Sequence, residues 1–225
     1  MTGKLIVIDG TDGSGKATQV QLLSERLKNS DYRVMVADFP RYGQPSAYFC
    51  EQYLNGNFGS LEEVGSKKAS IFYALDRYAA SFEIRKKIEE GYIVLSNRYV
   101  TASMGHQGAQ ITDPEKRKSF FAWLYDLEYG VFNIPKPDLN IILHVTAEIG
   151  QKLVDLKAPR NYIGDKKRDL LEQNLNHLKA AERVYLEICQ TFENFALIEC
   201  VENDTIMTRE RINDLIWETI QSHIK

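Results

Sequence analysis

The stretch "IVIDGTDGSGKATQVQLL", residues 6–23, limits the possible folds more than any other part of the chain. An apolar, β-branched run from Lys4 to Asp9 has the pattern of a strand buried on both faces. A glycine-rich turn follows. From Lys16 to Leu27, the residues Val20, Leu23 and Leu27 share one helical face. Strand, tight turn and helix make the first half of a parallel βαβ unit. Within the turn, Gly10-Thr11-Asp12-Gly13-Ser14-Gly15-Lys16 keeps the spacing G-x-x-x-x-G-K. Glycines let successive backbone N–H groups point into one concavity. The helix N-terminus adds the equivalent of about half a positive charge, and Lys16 adds a full one. Such a loop holds a polyphosphate. ATP is the expected ligand, with Gly10, Asp12, Gly13, Ser14, Gly15, Lys16, Ala17 and Thr18 as the expected contacts. The plain alternative is an ordinary glycine turn between strand and helix.

One position departs from the pattern. Where Ser or Thr usually follows the lysine and contacts Mg²⁺, this chain has Ala17. Thr18 points elsewhere on the helix and is no replacement. Mg²⁺ readily keeps several waters, so the ion could rest on phosphates, water and other groups. The opposing reading is a degenerate site.

Further along, "RVMVAD" (33–38), "YIVLS" (92–96), "LNIILHV" (139–145) and "FALIEC" (195–200) read as strands. Helical patterns cover 61–90 with a break, 113–129 with Asp113 as N-cap and Pro114 at the first position, and roughly 167–193. A final helix carries Ile212, Leu215, Ile216, Ile220 and Ile224 on one face. Strands alternating with helices predict a three-layer α/β/α fold on a five-stranded parallel sheet with right-handed crossovers. There is no repeat and no Gly/Ser linker, so 1–225 reads as one domain. The segment 156–168, "LKAPRNYIGDKKR", reads as a mobile basic surface loop. The net charge of −3 argues against nucleic-acid and membrane-surface partners. Cys50, Cys189 and Cys200 lack metal-ligand spacing and read as reduced thiols. The expected setting is cytoplasmic, with no membrane contact.

A polyphosphate donor needs an acceptor site. "DFPRYG" (38–43) follows the second strand, "ALDRYA" (74–79) lies in a helix, and "SNRYV" (96–100) follows the third strand. In open parallel sheets, ligands bind beyond the carboxyl ends of strands. That rim should carry Arg41, Tyr42 and Arg98, with Arg77 projecting from a helix, and arginines there suit a second phosphate ester. Taken singly, each arginine could equally form a surface salt bridge.

At this point the chain resembles the thymidylate kinases, members of the P-loop nucleoside monophosphate kinases. The matching segments run in order along nearly the whole chain: "DGTDGSGKATQ", "FPRYGQ", "YALDRYA", "NRYVTASMGHQG", "PKPDLNIILHV" and "RNYIGD". The resemblance implies a P-loop NTPase fold, transfer of the γ-phosphate of ATP·Mg²⁺ to dTMP in dTTP synthesis, and a homodimer packed through helices. It implies Asp12 near the metal, Phe39 and Tyr42 along the acceptor, and Tyr42 and Arg98 near its phosphate. Arg41 would sit in the phosphate-bridging region. Tyr73 would stack on thymine and Arg77 would bond a base carbonyl. Ser103, His106 and Gln107 would meet the base edge and sugar. The basic loop becomes a lid, with Arg160 as its catalytic cation, Lys157, Lys166, Lys167 and Arg168 as rivals, and Tyr162 as its tyrosine. The catalytic set is then Lys16, Arg98 and Arg160. Two further departures stand. Asn97 precedes Arg98 where the family commonly has Asp, and Tyr162 lacks flanking acids. Rival readings are a kinase for dUMP or dCMP, and a nucleotide-binding homologue with weak catalysis.

Overall fold

A computed structural model describes residues 3–155, 175–203 and 205–224. The expected lid, with Arg160 and Tyr162, lies outside the described residues, as does the start of the helix expected from 167. Five parallel strands form the sheet: β1 (Lys4–Gly10), β2 (Val34–Asp38), β3 (Ile93–Asn97), β4 (Leu139–His144) and β5 (Phe195–Glu199). Their spatial order is β2-β3-β1-β4-β5, which puts β1 at the centre. After β1 the chain crosses to one side of the sheet, and after β3 it crosses to the other. The strand order therefore reverses at the C-terminal ends of β1 and β3, and this is where an open sheet forms its ligand crevice.

Alternation along β1 feeds two cores. Ile6 and Ile8 pack on one face with Val20, Leu23 and Leu27 of α1 (Lys16–Asn29) and Ile212, Ile216 and Ile220 of the last helix, α8 (Arg209–Ile220). Leu5 and Val7 pack on the other face with Ile84 of α3 (Leu61–Glu89), Met104 of α4 (Val100–Gly108), Phe121 of α5 (Pro114–Tyr125) and Ile188 of α7 (Leu175–Thr191). Period-two side-chain direction along the strand is the cause.

Several elements differ from expectation. Residues 45–54 form a 3₁₀ turn (Pro45–Ala47) and α2 (Tyr48–Leu54), and α4 and α6 (Ala147–Asp155) are also additional. The break within 61–90 is Gly65, at φ 73°, just after a capping box made by Ser60 and Glu63. Asp113 does cap α5, accepting from the Lys116 N–H at 3.0 Å. However, α5 stops at Tyr125 and continues as a π-helix, Asp126–Val131. Thr208 caps α8, which ends at Ile220, so Ile224 is buried beyond the following turn and not on the helix.

Candidate active site

The glycine-lysine loop lies where β1 meets α1, at the centre of the crevice. Two of its glycines are demanded by geometry. A Cβ on Gly10 would lie 2.3 Å from the Leu143 carbonyl oxygen. A Cβ on Gly13, at φ +84°, would lie 2.1 Å from the Gly150 carbonyl oxygen of α6. Lys16 is buried and folds back over the loop, donating to the carbonyls of Gly10 (3.1 Å) and Thr11 (2.7 Å) and to Ser14 Oγ (3.4 Å). Phosphate oxygens would offer it stronger, charge-assisted acceptors.

Arg98 follows β3 directly and is left-handed, at φ 63°, a conformation uncommon for non-glycine residues. Its backbone is pinned on both sides: its N–H donates to the Ile8 carbonyl at 3.0 Å, and its carbonyl accepts from Ser96 Oγ at 2.6 Å. The guanidinium reaches across the crevice to pair with Asp12 in the loop. It also lies 3.7 Å from Asp9 and donates to His106 Nε2 at 3.1 Å.

Beneath Arg98 lies a buried polar layer. Asp9 Oδ1 accepts from the Gly10 N–H (2.9 Å) and from Tyr185 Oη (3.0 Å), while its Oδ2 has no donor among the described residues. Burial pushes the Asp9 carboxyl above its usual range, although Arg98 and Lys16 pull it down. His106 stacks on His177 and meets Tyr185 edge-on. Burial lowers its pKa to about 3, so it is neutral at physiological pH. Because Arg98 donates to Nε2, the ring proton sits on Nδ1, which is buried with no acceptor among the described residues.

The remaining expected residues fall into two groups. Phe39 is buried against Tyr99, while Tyr42 is exposed on the loop after β2. Arg41 is tied down: its Nε donates to Asp76 Oδ1 (2.9 Å), and its Nη2 donates to Ser46 Oγ (2.8 Å) and to the Asp76 carbonyl (3.1 Å). Its geometry locks the loop to α3 and gives no support to a phosphate-bridging role. Tyr73, half-buried, meets Tyr53 edge-on. Arg77 is fully buried. Its Nε lies 3.0 and 3.1 Å from the Glu128 oxygens, and a second bond to Glu128 is made through Nη2. Nη2 also donates to Ser103 Oγ at 2.9 Å, and Nη1 to the Tyr99 carbonyl at 3.1 Å. Four of its five N–H groups therefore have acceptors. Gln107 is buried in α4.

Asp9, Tyr185, His177, Asp76 and Glu128 were not among the expected site residues. Only Asp9 carried a signal, as an acid closing an apolar strand run. No cluster of three or more His, Cys, Asp or Glu side chains suits a metal among the described residues. Asn97 Oδ1, buried with no donor among the described residues, fits an ion that keeps its waters and rests mainly on phosphates.

Strand order, loop and facing arginine together define a P-loop phosphotransferase of the nucleoside monophosphate kinase type. The family profile described as thymidylate kinase matches residues 8–212. The chain belongs to the thymidylate kinase family. It is 31% identical to the thymidylate kinase of Mycobacterium tuberculosis over 185 residues, covering 82% of this chain and 85% of that one. It is 30% identical to the thymidylate kinase of Halothermothrix orenii over 177 residues, covering 78% of each. A thymidylate kinase structure from Candida albicans superposes with a TM-score of 0.75 at 20% identity, over 99% of this chain and 92% of that one, a likeness of fold.

Proposed function

We propose that this protein transfers the γ-phosphate of ATP to dTMP, giving dTDP and ADP. The observation that carries this reading is Arg98, aimed from the end of β3 at the phosphate loop and held by Asp12, in a chain matched to the family across residues 8–212. The acceptor oxygen of a nucleotide monophosphate is already anionic near neutral pH, so no general base is required. The obstacle is repulsion between two polyanions. Each pair of unit charges at about 4 Å is worth about 4 kcal/mol at an effective dielectric of about 20. Lys16, Arg98 and a lid cation, Arg160 by sequence, offset such terms by positioning and charge. Mg²⁺ bound with ATP would neutralise further phosphate charge, with Asp12 as the carboxylate in the loop.

On the acceptor side, Tyr73 provides an aromatic face. Arg77 has one N–H left for a base carbonyl, held in place by Glu128. The Nδ1–H of neutral His106 suits a sugar oxygen. Phe39, Tyr42, Ser103 and Gln107 complete the acceptor side in this reading, and Tyr162 joins from the lid. Residues 1–225 form one kinase domain whose lid is 156–168.

We further read the protein as a homodimer. Ile71, Leu75, Tyr78 and Phe82 recur on one side of α3 and are all exposed, Phe82 by 63%. The three cysteines are unpaired, which fits a reducing cytoplasm. No helix among the described residues is long and apolar enough to cross a membrane. The test of the activity is ADP production with ATP and a panel of dTMP, dUMP and dCMP, repeated across a Mg²⁺ titration. A clear preference for dTMP is expected, and equal or absent turnover on dTMP overturns the reading.

A further inference from the structure

Asp38 stands opposite Asn97 in the β2–β3 register, and Asn97 Nδ2 donates to Asp38 Oδ1 at 2.7 Å. That bond fixes the amide. With its nitrogen on Asp38, the remaining atom, Oδ1, can only accept. This Oδ1 is buried and has no donor among the described residues. A buried acceptor left without a donor is costly, so a ligand that brings donors or positive charge suits the place.

Both residues line a groove of about 290 Å³ that runs along α1 past Ala17 and Val20 to Ser24, Glu25 and Lys28. Ala17 stands beside the phosphate loop and presents only a methyl group to this groove. The Asp38 carboxyl also senses the charges of Lys16 and Arg98, which oppose the effect of burial on it. Groove and loop therefore share one electrostatic space. Asp12, the carboxylate inside the loop, is held by Arg98. Asp38 lies on the other side, where its carboxylate accepts from the neutral Asn97 amide.

We propose that Asp38 and Asn97 Oδ1 form the protein side of a divalent-cation site beside Ala17, accepting hydrogen bonds from water on a cation carried by the donor nucleotide. The negative charge absent from position 97 is thus supplied one strand away. This inference rests on the phosphoryl-transfer reading for the arrival of the nucleotide, but its test needs no turnover.

Mn²⁺ is titrated into the protein bound to a non-hydrolysable ATP analogue, and its affinity is read from water-proton relaxation. Asp38→Asn is expected to weaken Mn²⁺ by about tenfold or more, the usual effect of losing a group that orients a metal's shell. Analogue binding in EDTA is expected to stay unchanged. The exchanged pair, Asp38→Asn with Asn97→Asp, returns a carboxylate to the groove and is expected to recover most of the loss. Asp38 is exposed on an edge strand, so these variants keep the fold. Wild-type Mn²⁺ affinity in Asp38→Asn overturns the site. So does an equal loss of analogue binding in EDTA, or an exchanged pair as weak as the single variant. Asp38-dependent Mn²⁺ binding in a protein inactive on dTMP would sustain the site while refuting the dTMP kinase reading.

Discussion

Removing the carboxylate of Glu128 should destabilise the protein strongly. Glu128 comes from the π-helix after α5 and meets Arg77 of α3 in full burial, with three contacts between guanidinium and carboxylate. In Glu128→Ala, the Arg77 charge stays in the core with only Ser103 Oγ and the Tyr99 carbonyl as acceptors. Breaking a buried pair from one side costs about 3–5 kcal/mol, because the remaining charge is uncompensated. For a chain of this size each kcal/mol moves Tm by about 2–4 °C, so a drop of roughly 6–20 °C is expected by thermal unfolding. Glu128→Gln keeps an acceptor and should lose less. The decisive comparison is Arg77→Met with Glu128→Met. Removing both charges replaces an ion pair with apolar volume, and such replacements are often neutral or stabilising. The double variant should therefore be more stable than Glu128→Met alone. A Glu128→Ala protein within about 1 kcal/mol of wild type, or single losses that simply add in the double variant, would refute the argument.

Further outcomes follow from other parts of the molecule. Arg98→Ala should lower kcat on dTMP by about 10²–10³-fold, the typical effect of removing one donor aimed at transition-state charge, and near-normal turnover would sink its catalytic role. His144 lies between Glu199 (2.6 Å) and Glu182 (3.1 Å), and although burial works against its charge, these carboxylates raise its pKa above the ordinary 6.5. Its stabilising effect is therefore complete below pH 6.5 and lost as pH rises through the higher folded-state value. A plot of Tm against pH should show that decline, and His144→Asn should flatten it. Phe82→Glu, on the exposed face of α3, should weaken self-association by at least about tenfold, or about 1.4 kcal/mol, in analytical ultracentrifugation, with unchanged dimerisation placing the interface elsewhere.

The five strands were legible in the sequence to within a residue or so at each end. Strands buried on both faces must be nearly continuous apolar runs, as "LNIILH" is. The helix α4 was not legible, because eight of its nine residues are buried and "VTASMGHQG" shows no polar face to give it a period. The site divides the same way. The loop was readable from its local glycine spacing and the place of Arg98 from the strand end it follows, whereas its partner Asp12, 86 residues away, was not. The partners of the other arginines were not readable. Arg41 and Asp76 are 35 residues apart, and Arg77 and Glu128 are 51 apart, so only the packing of separate elements brings them together. The same holds for Asp38 and Asn97, 59 residues apart, whose pairing exists only because β2 and β3 are neighbours in the sheet.

Each arginine of the crevice is held by a carboxylate: Arg41 by Asp76, Arg77 by Glu128, and Arg98 by Asp12 with Asp9 behind it. The pairs differ in what they allow. Glu128 and Asp76 are buried with their arginines already fixed, so these guanidiniums serve as rigid walls of the crevice. Arg98 is different because Asp12 belongs to the phosphate loop itself. A phosphate entering the crevice offers three anionic oxygens in place of one carboxylate and can compete for the same guanidinium. Asp9 lies buried beneath, 3.7 Å from the guanidinium, with an oxygen that has no donor among the described residues. Arg98 can thus turn from loop to substrate without ever being buried unpaired, which would be the costly state for a charge in this layer. The left-handed backbone at φ 63°, pinned by Ile8 and Ser96, fixes the stem of the side chain while its head exchanges partners.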